Sequence, residues 1–464
     1  MPIDHMSFDP PRADMEAIAR AAVGYAIDFV EARSEAPAVD VDGAYDLAEA
    51  LRAMPPEEPA EFGELLDVIA RAAEKAFDTA GPGYLAYIPG GGLYAAAVAD
   101  LLACVTNRFV NLAAPAPALV RLEANVTRWL CDLFSFPPEA QGVLTSGGSM
   151  ANFSAVVTAR TARLPEDFLD GTIYASEHVH HSIAKSARLA GFPPGAVRTV
   201  GTDDMLRVDV DDLRSRIRDD RRAGRRPFLV VGSAGTVNTG AVDPLDDVAE
   251  ICVEENLWFH VDGAYGGFFQ TTERGRRAFR GIDRADSVTL DPHKGLFLPY
   301  GTGSLIVRRG ADLLAAHRGG ASYLPAQSAT DLPDFADYTP ELSRDNRGLR
   351  VWVPLHLHGV AAFRRALDEK LDLARKVYDA LVEVDGLDVP WEPELSIVAF
   401  KSRHGNDATD RMLEEINASR RVYLSGTELD GDRYLRIAIL SHRTDEARID
   451  EAIEIVAKAA ASVA

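Results

Sequence analysis

The sequence predicts an α/β fold with a mostly parallel sheet, and two patterns in the chain support this. From about residue 95 to 310, short apolar runs alternate with amphipathic stretches, which is typical of a sheet covered by helices on both faces. The chain of 464 residues is also longer than a domain with a single hydrophobic core usually is, which indicates more than one domain. We therefore expect a helical N-terminal segment (1–93), a large α/β domain (94–353) and a small C-terminal α+β domain (354–464).

The predicted elements of the large domain place polar and small residues directly after strands. The predicted strands are 142–145, 172–175, 228–232, 258–261, 287–290 and 303–307, and the predicted helices include 150–163, 181–190, 208–222 and 244–255. Helical structure is expected over 349–384. Ligands of such sheets bind beyond the carboxyl ends of the strands, so functional residues are expected there.

Composition excludes several classes of function. The formal charge of −22 argues against a nucleic-acid partner, because phosphates would be repelled. Cys104, Cys131 and Cys252 have no disulfide or zinc spacing, and we expect three reduced, buried thiols. The N-terminus lacks the pattern of a signal peptide, and no apolar stretch predicts a membrane span, so a cytoplasmic protein without membrane contact is expected.

Lys294 is the candidate reactive lysine of the chain. It follows the predicted strand 287–290 in the string DPHKG, and its apolar flanks would partly desolvate the amine. A neutral amine is what Schiff-base chemistry requires, although a lysine that reaches solvent beside a turn is the alternative. Four other lysines lie in charged helices and are expected on the surface: Lys75, Lys370, Lys376 and Lys458.

Asp262 is a candidate partner for a cation. It ends a predicted strand in WFHVDGAYGG, where Gly263 and Ala264 would let a flat ring approach the backbone. A buried carboxylate needs a cationic partner, such as the protonated ring nitrogen of a pyridine cofactor. An aspartate that opens a turn is the alternative interpretation.

Two further strand ends carry candidate binding groups. In LTSGGSMANFSA (144–155), a Gly-Gly turn precedes a helix whose first N–H groups favour an anion, unless the glycines form only a flexible cap. In YASEHVHHS, the histidines 178, 180 and 181 lie at a strand-to-helix junction. No carboxylate or cysteine completes a convincing ligand set, so we expect no metal, and a stacking or acid–base histidine is favoured over a capping one.

The order of these elements resembles the group II pyridoxal-phosphate (PLP)-dependent decarboxylases, which include aromatic-L-amino-acid, histidine, glutamate and tyrosine decarboxylases. The resemblance extends from about Tyr84 to Thr444, and its most specific strings are HVDGAYGG, DPHKG and YASEHVHHS. It implies a type I PLP-dependent transferase-like fold and PLP as cofactor. It also implies a homodimer with active sites at the interface, in which the N-terminal segment packs on the partner.

The resemblance also implies roles for individual residues. Lys294 would bind PLP as a Schiff base, Asp262 would pair with the pyridine nitrogen, and His180 and Ala264 would contact opposite faces of the ring. Gly147, Gly148 and Ser149 would hold the phosphate, with His293 nearby, and Thr236 would contact the cofactor or the substrate carboxylate. Tyr338, in the predicted long loop 321–347, would help to return a proton to Cα. Arg347 matches a family position of less clear role.

The implied reaction is decarboxylation of an L-amino acid to the amine and CO₂. The substrate side chain would contact Tyr87, Ile88 and Pro89, together with Phe109 and Asn111 of the partner, which favours an aromatic substrate. Asn111 departs from the apolar pattern of aromatic-specific members. A decarboxylase of another amino acid, such as glutamate or diaminobutyrate, or a PLP-dependent aldehyde synthase, is the alternative. The tyrosine at position 338 favours simple decarboxylation, because aldehyde synthases usually carry phenylalanine there.

Overall fold

The structure is a computed structural model that describes residues 8–319 and 331–463. Its α-helices are α1 (Arg12–Glu31), α2 (Ala44–Ala50), α3 (Phe62–Glu74), α4 (Tyr94–Thr106), α5 (Pro117–Leu133), α6 (Gly148–Arg163), α7 (Ser182–Leu189), α8 (Val210–Arg222), α9 (Leu245–Glu254), α10 (Glu273–Ala278), α11 (Pro292–Gly295), α12 (Gly310–His317), α13 (Arg347–His358), α14 (Val360–Val382), α15 (Asn406–Ala418) and α16 (Glu446–Ser462). Its strands are β1 (Gln141–Thr145), β2 (Gly171–Ser176), β3 (Val197–Val200), β4 (Arg226–Ser233), β5 (Trp258–Gly263), β6 (Ser287–Leu290), β7 (Gly303–Val307), β8 (Leu387–Asp388), β9 (Ile397–Ser402), β10 (Ser425–Leu429) and β11 (Asp432–Ala438).

The large sheet has seven strands in the order β1-β7-β6-β5-β4-β2-β3. Only β7 runs antiparallel to its neighbours β1 and β6, so the predicted mostly parallel α/β fold is confirmed. Successive residues of its strands contribute to opposite apolar clusters: Leu229 and Val231 belong to one cluster and Val230 to the other. Both faces are therefore buried, which explains the continuous apolar runs in the sequence.

Strand β3 was absent from the sequence prediction. Its four residues form one edge of the sheet, and its middle residues Arg198 and Thr199 are not buried. An edge strand this short carries too little apolar pattern to be distinguished from a loop.

The C-terminal sheet is antiparallel, in the order β10-β11-β9-β8. A segment from the N-terminal part of the chain extends it, because the N–H of Leu85 donates to the Tyr423 carbonyl (3.0 Å) and the N–H of Ala438 donates to the Leu85 carbonyl (2.9 Å). The Leu85 side chain is fully buried in the apolar cluster of this sheet. The loop that follows, which contains Tyr87 and Ile88, is thus fixed by the C-terminal sheet.

The helical prediction for 349–384 is confirmed, as two helices that Gly359 separates with φ of +74°, a conformation that favours glycine. Two expectations from the sequence were wrong. Lys370 is fully buried rather than exposed, and its Nζ donates to the Thr444 carbonyl (2.6 Å) and the Glu369 carboxylate (2.8 Å). Cys131 and Cys252 are buried free thiols as expected, but Cys104 is exposed.

None of the helices in the described part of the chain combines the length and apolar character needed to cross a bilayer.

His442 is a histidine in largely apolar surroundings. Its ring lies 5.6 Å from that of Phe297, between centroids, and its Nδ1 has no hydrogen-bond partner among the described residues. Burial, with smaller contributions from Arg443 and Lys370, lowers the pKa of His442 to about 3. The imidazole is therefore neutral in the folded chain at neutral pH.

We predict that His442 makes the fold sensitive to acid. An unfolded chain binds the proton near pH 6.5, so stability should be complete above that pH and fall as the pH drops towards 3. His442→Asn removes this titration, and it should lessen the loss of unfolding free energy between about pH 7.5 and about pH 5.5 by roughly 1 kcal/mol in urea denaturation. His404→Asn, at an exposed histidine, is the control. An unchanged pH response in His442→Asn would contradict the prediction.

Candidate active site

A cavity of about 330 Å³ lies at the carboxyl ends of the parallel strands. It brings together all nine residues that the sequence predicts to bind the cofactor: Gly147, Gly148, Ser149, His180, Thr236, Asp262, Ala264, His293 and Lys294. These residues lie at the ends of five strands, β1, β2, β4, β5 and β6, or in the segments that directly follow them, so the sheet topology assembles the site.

Lys294 lies in the short helix α11 after β6, with its side chain 22% exposed. Its Nζ is 2.9 Å from Oδ2 of Asp291, whose side chain is only 2% exposed. The second oxygen of Asp291, Oδ1, is buried without a hydrogen-bond partner among the described residues. The amine is therefore held at the cavity wall by a carboxylate and remains accessible from the cavity.

Asp262 is a buried carboxylate at the end of β5, with 7% exposure. Its Oδ2 accepts a hydrogen bond from Nδ2 of Asn152 (2.8 Å), and its Oδ1 accepts from the N–H of Ala264 (3.1 Å). Within residues 8–319 and 331–463, no basic side chain forms an ion pair with it. A buried carboxylate without a counter-ion fits a ligand that brings a cation to this wall, as the protonated pyridine ring of PLP does.

The N-terminus of α6 forms another wall of the cavity. No side chain caps its first turn, so backbone N–H groups around Gly148 and Ser149 are available to an anion. A Cβ at Gly148 would lie 2.9 Å from Oδ2 of Asp291 and 3.1 Å from Cβ of Ala264. Glycine is therefore required for this close approach, and the arrangement fits a phosphate group.

The two histidines of the cavity are held in opposite tautomers. Nδ1 of His180 accepts from the N–H of Ser182 (3.2 Å), so its proton is carried by Nε2. Nδ1 of His293 instead donates to the Thr302 carbonyl (2.7 Å). Burial lowers the pKa of both imidazoles, so both are neutral near pH 7. His180 thus presents an uncharged ring to the cavity.

Of the residues predicted to contact the substrate, only Ile88 lines this cavity. Tyr87 is 56% exposed and has a positive φ of 50°, in a loop fixed by Ser425, whose Oγ accepts from the N–H of Tyr87 (3.1 Å). Phe109 is 39% exposed, whereas Asn111 is fully buried, and neither lines the cavity of its own chain. Their assignment to a partner's site therefore stays a prediction, as does that of Pro89.

Residues 331–347, here called the tyrosine segment, are the part of the predicted loop 321–347 that the structure describes, since residues 320–330 lie outside the described residues. Asn111 is hydrogen-bonded to this segment at two points. The side-chain Nδ2 of Asn111 donates to the Leu342 carbonyl, and the backbone carbonyl of Asn111 accepts from the N–H of Ala336 (3.0 Å). Tyr338, in this segment, packs against an apolar cluster, and burial raises its pKa. The phenol is therefore protonated at neutral pH, and it lies outside the cavity of its own chain.

Ion pairs anchor the C-terminal end of the tyrosine segment. Arg344 and Glu123 form a fully buried pair (2.6 Å), which ties the segment to α5. Arg347 is 6% exposed and contacts Glu341 (2.7 Å) and Asp345 (2.9 Å). Arg347 therefore stabilises the turn between the tyrosine segment and α13.

Sequence reasoning missed three residues of the site. Asp291 had a signal, since an acid three residues before Lys294 lies one turn away in a helical turn. His260 had a weaker signal, because it precedes Asp262 by two residues on a strand and therefore lies on the same face. Asn152 had none, because only the packing of α6 against β5 brings it to the Asp262 carboxylate.

Comparison with known proteins agrees with this geometry. The Pyridoxal-dependent decarboxylase conserved domain matches residues 46–403. An aromatic-L-amino-acid decarboxylase of Bacillus atrophaeus is 35% identical over 388 residues, covering 81% of this chain and 80% of the relative. An L-2,4-diaminobutyrate decarboxylase of Rhizobium meliloti (strain 1021) is 30% identical over 357 residues, covering 75% and 72%.

A solved structure extends the similarity to the whole fold. The crystal structure of Oryza sativa TDC with PLP and tryptamine superposes with a TM-score of 0.93 at 25% identity, and the match covers 98% of this chain and 99% of that one. The matched domain spans most of the chain, and the cavity carries the lysine, carboxylate and helix N-terminus that the cofactor requires. The chain therefore belongs to the family of pyridoxal-dependent amino-acid decarboxylases, and its cofactor is PLP.

Proposed function

We propose that this protein decarboxylates an aromatic L-amino acid to the corresponding amine and CO₂. The observation that carries the proposal is the single cavity that contains Lys294, Asp262 and the open N-terminus of α6. Among the described residues that line it, none is an arginine and Lys294 is the one lysine, so this chain's part of the cavity offers an acidic side chain no cation beyond the reactive amine. The similarity to an aromatic-L-amino-acid decarboxylase supports an uncharged, aromatic substrate.

The residues of the cavity would divide the work of holding PLP. Lys294 would form the covalent link, Asp262 would keep a proton on the ring nitrogen, and Gly147, Gly148 and Ser149 would hold the phosphate. His180 and Ala264 would contact the two ring faces, with His293 beside the phosphate and Thr236 at the cofactor or the substrate carboxylate. When bound, PLP supplies an electron sink for the bond that breaks between Cα and the carboxylate.

The protein's own groups would then determine the outcome. The neutral ring of His180 would pack against the reacting centre without adding charge. Tyr338 of the partner chain would deliver the phenolic proton to Cα, because a phenol is protonated at neutral pH. Tyr87, Ile88 and Pro89, with Phe109 and Asn111 of the partner, would surround the substrate side chain.

We predict that borohydride reduction of the PLP-loaded protein fixes the cofactor to Lys294, as peptide mapping by mass spectrometry would detect. Lys294→Ala should abolish turnover, because no other lysine lines the cavity in the described chain. Lys185→Ala is the matched control, since Lys185 is exposed on α7 and does not line the cavity. A label on another residue, or none, would refute the proposed function.

We predict that Tyr338→Phe lowers amine formation roughly 100-fold and shifts part of the product to an aldehyde, because the proton donor is lost while the ring is retained. Assay of amine, aldehyde and CO₂ with a panel of aromatic, acidic and diamino acids would test this together with substrate choice. Preference for a diamino or acidic substrate would reject the aromatic assignment. An unchanged product spectrum would reject the role of Tyr338.

We also propose that the enzyme is a homodimer that acts in the cytoplasm, where its free cysteines would stay reduced. α4 exposes an apolar stripe of Val98, Leu101, Leu102 and Val105, at the spacing of one helix face. The α1 helix buries none of its residues within this chain. Such surfaces are typical of an interface between copies, and Phe109 lies just beyond α4.

Val105→Glu should place a charge in the interface and convert the dimer to monomer, with loss of activity, in sedimentation velocity and turnover assays. Val253→Glu on α9 is the control, because its valine has nearly the same exposure (72% against 75%). A monomeric wild-type protein with full activity would refute the dimer proposal.

A further inference from the structure

A chain of buried side chains lies behind the cavity and ends at two of its walls. The members are Trp258, Ser287, His260, Asn152 and Ser182, each no more than 2% exposed. They come from β5, β6, α6 and α7, and each contacts the next through a hydrogen bond of 3.1 Å or less. None of them has been assigned a role in binding PLP or in the reaction above.

The direction of each hydrogen bond follows from the Asp262 carboxylate, which can only accept. Nδ2 of Asn152 must therefore face Asp262 (2.8 Å), which leaves Oδ1 of Asn152 to accept from Nε2 of His260 (3.1 Å). Nδ1 of the neutral His260 then accepts from the Ser287 hydroxyl (2.8 Å), whose oxygen accepts from Nε1 of Trp258 (2.9 Å). Burial lowers the pKa of His260 to about 4, so this neutral tautomer persists near pH 7.

The side-chain amide of Asn152 links His260 to Asp262 and Ser182. Its Oδ1 accepts from Nε2 of His260 (3.1 Å), which forces its Nδ2 towards the other side. There Nδ2 donates to the Asp262 carboxylate (2.8 Å) and to Oγ of Ser182 (2.9 Å). The Ser182 hydroxyl is then free to donate to Nδ1 of His180 (2.8 Å).

We propose that Asn152 is a positioning residue that couples the Asp262 carboxylate to the His180 ring. A rotation of its amide by half a turn would direct Oδ1 at the carboxylate and the NH₂ group at Nε2–H of His260, and it would break the bonds to Asp262 and His260. The amide is therefore held in one orientation. It keeps Asp262 aimed at the ring nitrogen and, through the Ser182 hydroxyl, adds a second donor to Nδ1 of His180 beside the backbone N–H of Ser182.

This inference rests on the proposed function, because both groups that Asn152 aligns are expected to contact PLP. Asn152 does more than fill space in the core. Its hydrogen bonds orient Asp262, which would face the ring nitrogen, and through Ser182 they support His180, which would face the ring. Loss of the amide should therefore weaken PLP binding and slow the chemical step. It should change substrate affinity little, since the Asn152 side chain bonds to Asp262, Ser182 and His260 and not to the loop with Tyr87 and Ile88 (the substrate loop).

The experiment compares Asn152→Leu with Thr158→Val on the same helix. Thr158 is fully buried and its hydroxyl donates to the Ser154 carbonyl (2.7 Å), so its substitution also removes one buried hydrogen bond. Asn152→Leu should raise the Kd for PLP, measured by absorbance titration, and lower kcat, each at least about tenfold, with KM within about threefold. Thr158→Val should leave all three within about twofold of wild type.

Two controls keep the outcome decisive. His260→Leu removes the donor that orients the amide, and it should change Kd and kcat in the same direction but less; it decides the matter if Asn152→Leu does not fold by circular dichroism. A folded Asn152→Leu that matches Thr158→Val in Kd and kcat would overturn this inference alone. Failure of the wild-type protein to bind PLP at Lys294 or to release CO₂ would instead overturn the proposed function.

Discussion

The structure of the site depends on one buried charge, the carboxylate of Asp262 at the end of β5. In the low dielectric of the interior, this anion is tolerated because backbone and amide donors contact both of its oxygens. The central position of β5 in the sheet keeps it there, between strands β4 and β6 whose own loops supply Thr236 and Lys294. The charge thus determines which ligand the cavity can accept, and the fold determines where that ligand must lie.

The remainder of the site is built from chain segments that are distant in sequence. The loop with Tyr87 and Ile88 is fixed by the C-terminal sheet, where Arg436 donates to the Tyr87 and Asn238 carbonyls (3.2 and 2.8 Å). Arg436 is 3% exposed, and burial lowers its pKa to about 10. It joins the substrate loop to the loop that carries Thr236, so the shape of the cavity is set jointly by the two sheets.

The large sheet was predicted from the sequence, and the residues predicted to bind the cofactor lie at one cavity, because both are local patterns. Strand, small residues and helix follow one another in the chain, so Asp262 and Lys294 could be placed at strand ends without knowledge of the tertiary structure. Asn152 and the burial of Lys370 could not be predicted, because they depend on which helix packs against which strand. The hydrogen bond from the Asn111 side chain to the Leu342 carbonyl could not be predicted for the same reason, because it depends on tertiary packing.

Leu85 belongs to an apolar core whose other members begin at Leu373. During synthesis, the segment with Leu85 cannot pack into this core until the last strands have been made. The central sheet can assemble before that. The C-terminal unit is correspondingly incomplete as an excised fragment, because one of its pieces lies nearly three hundred residues upstream. The loop with Tyr87 and Ile88 therefore reaches its final position only after the whole polypeptide has been made.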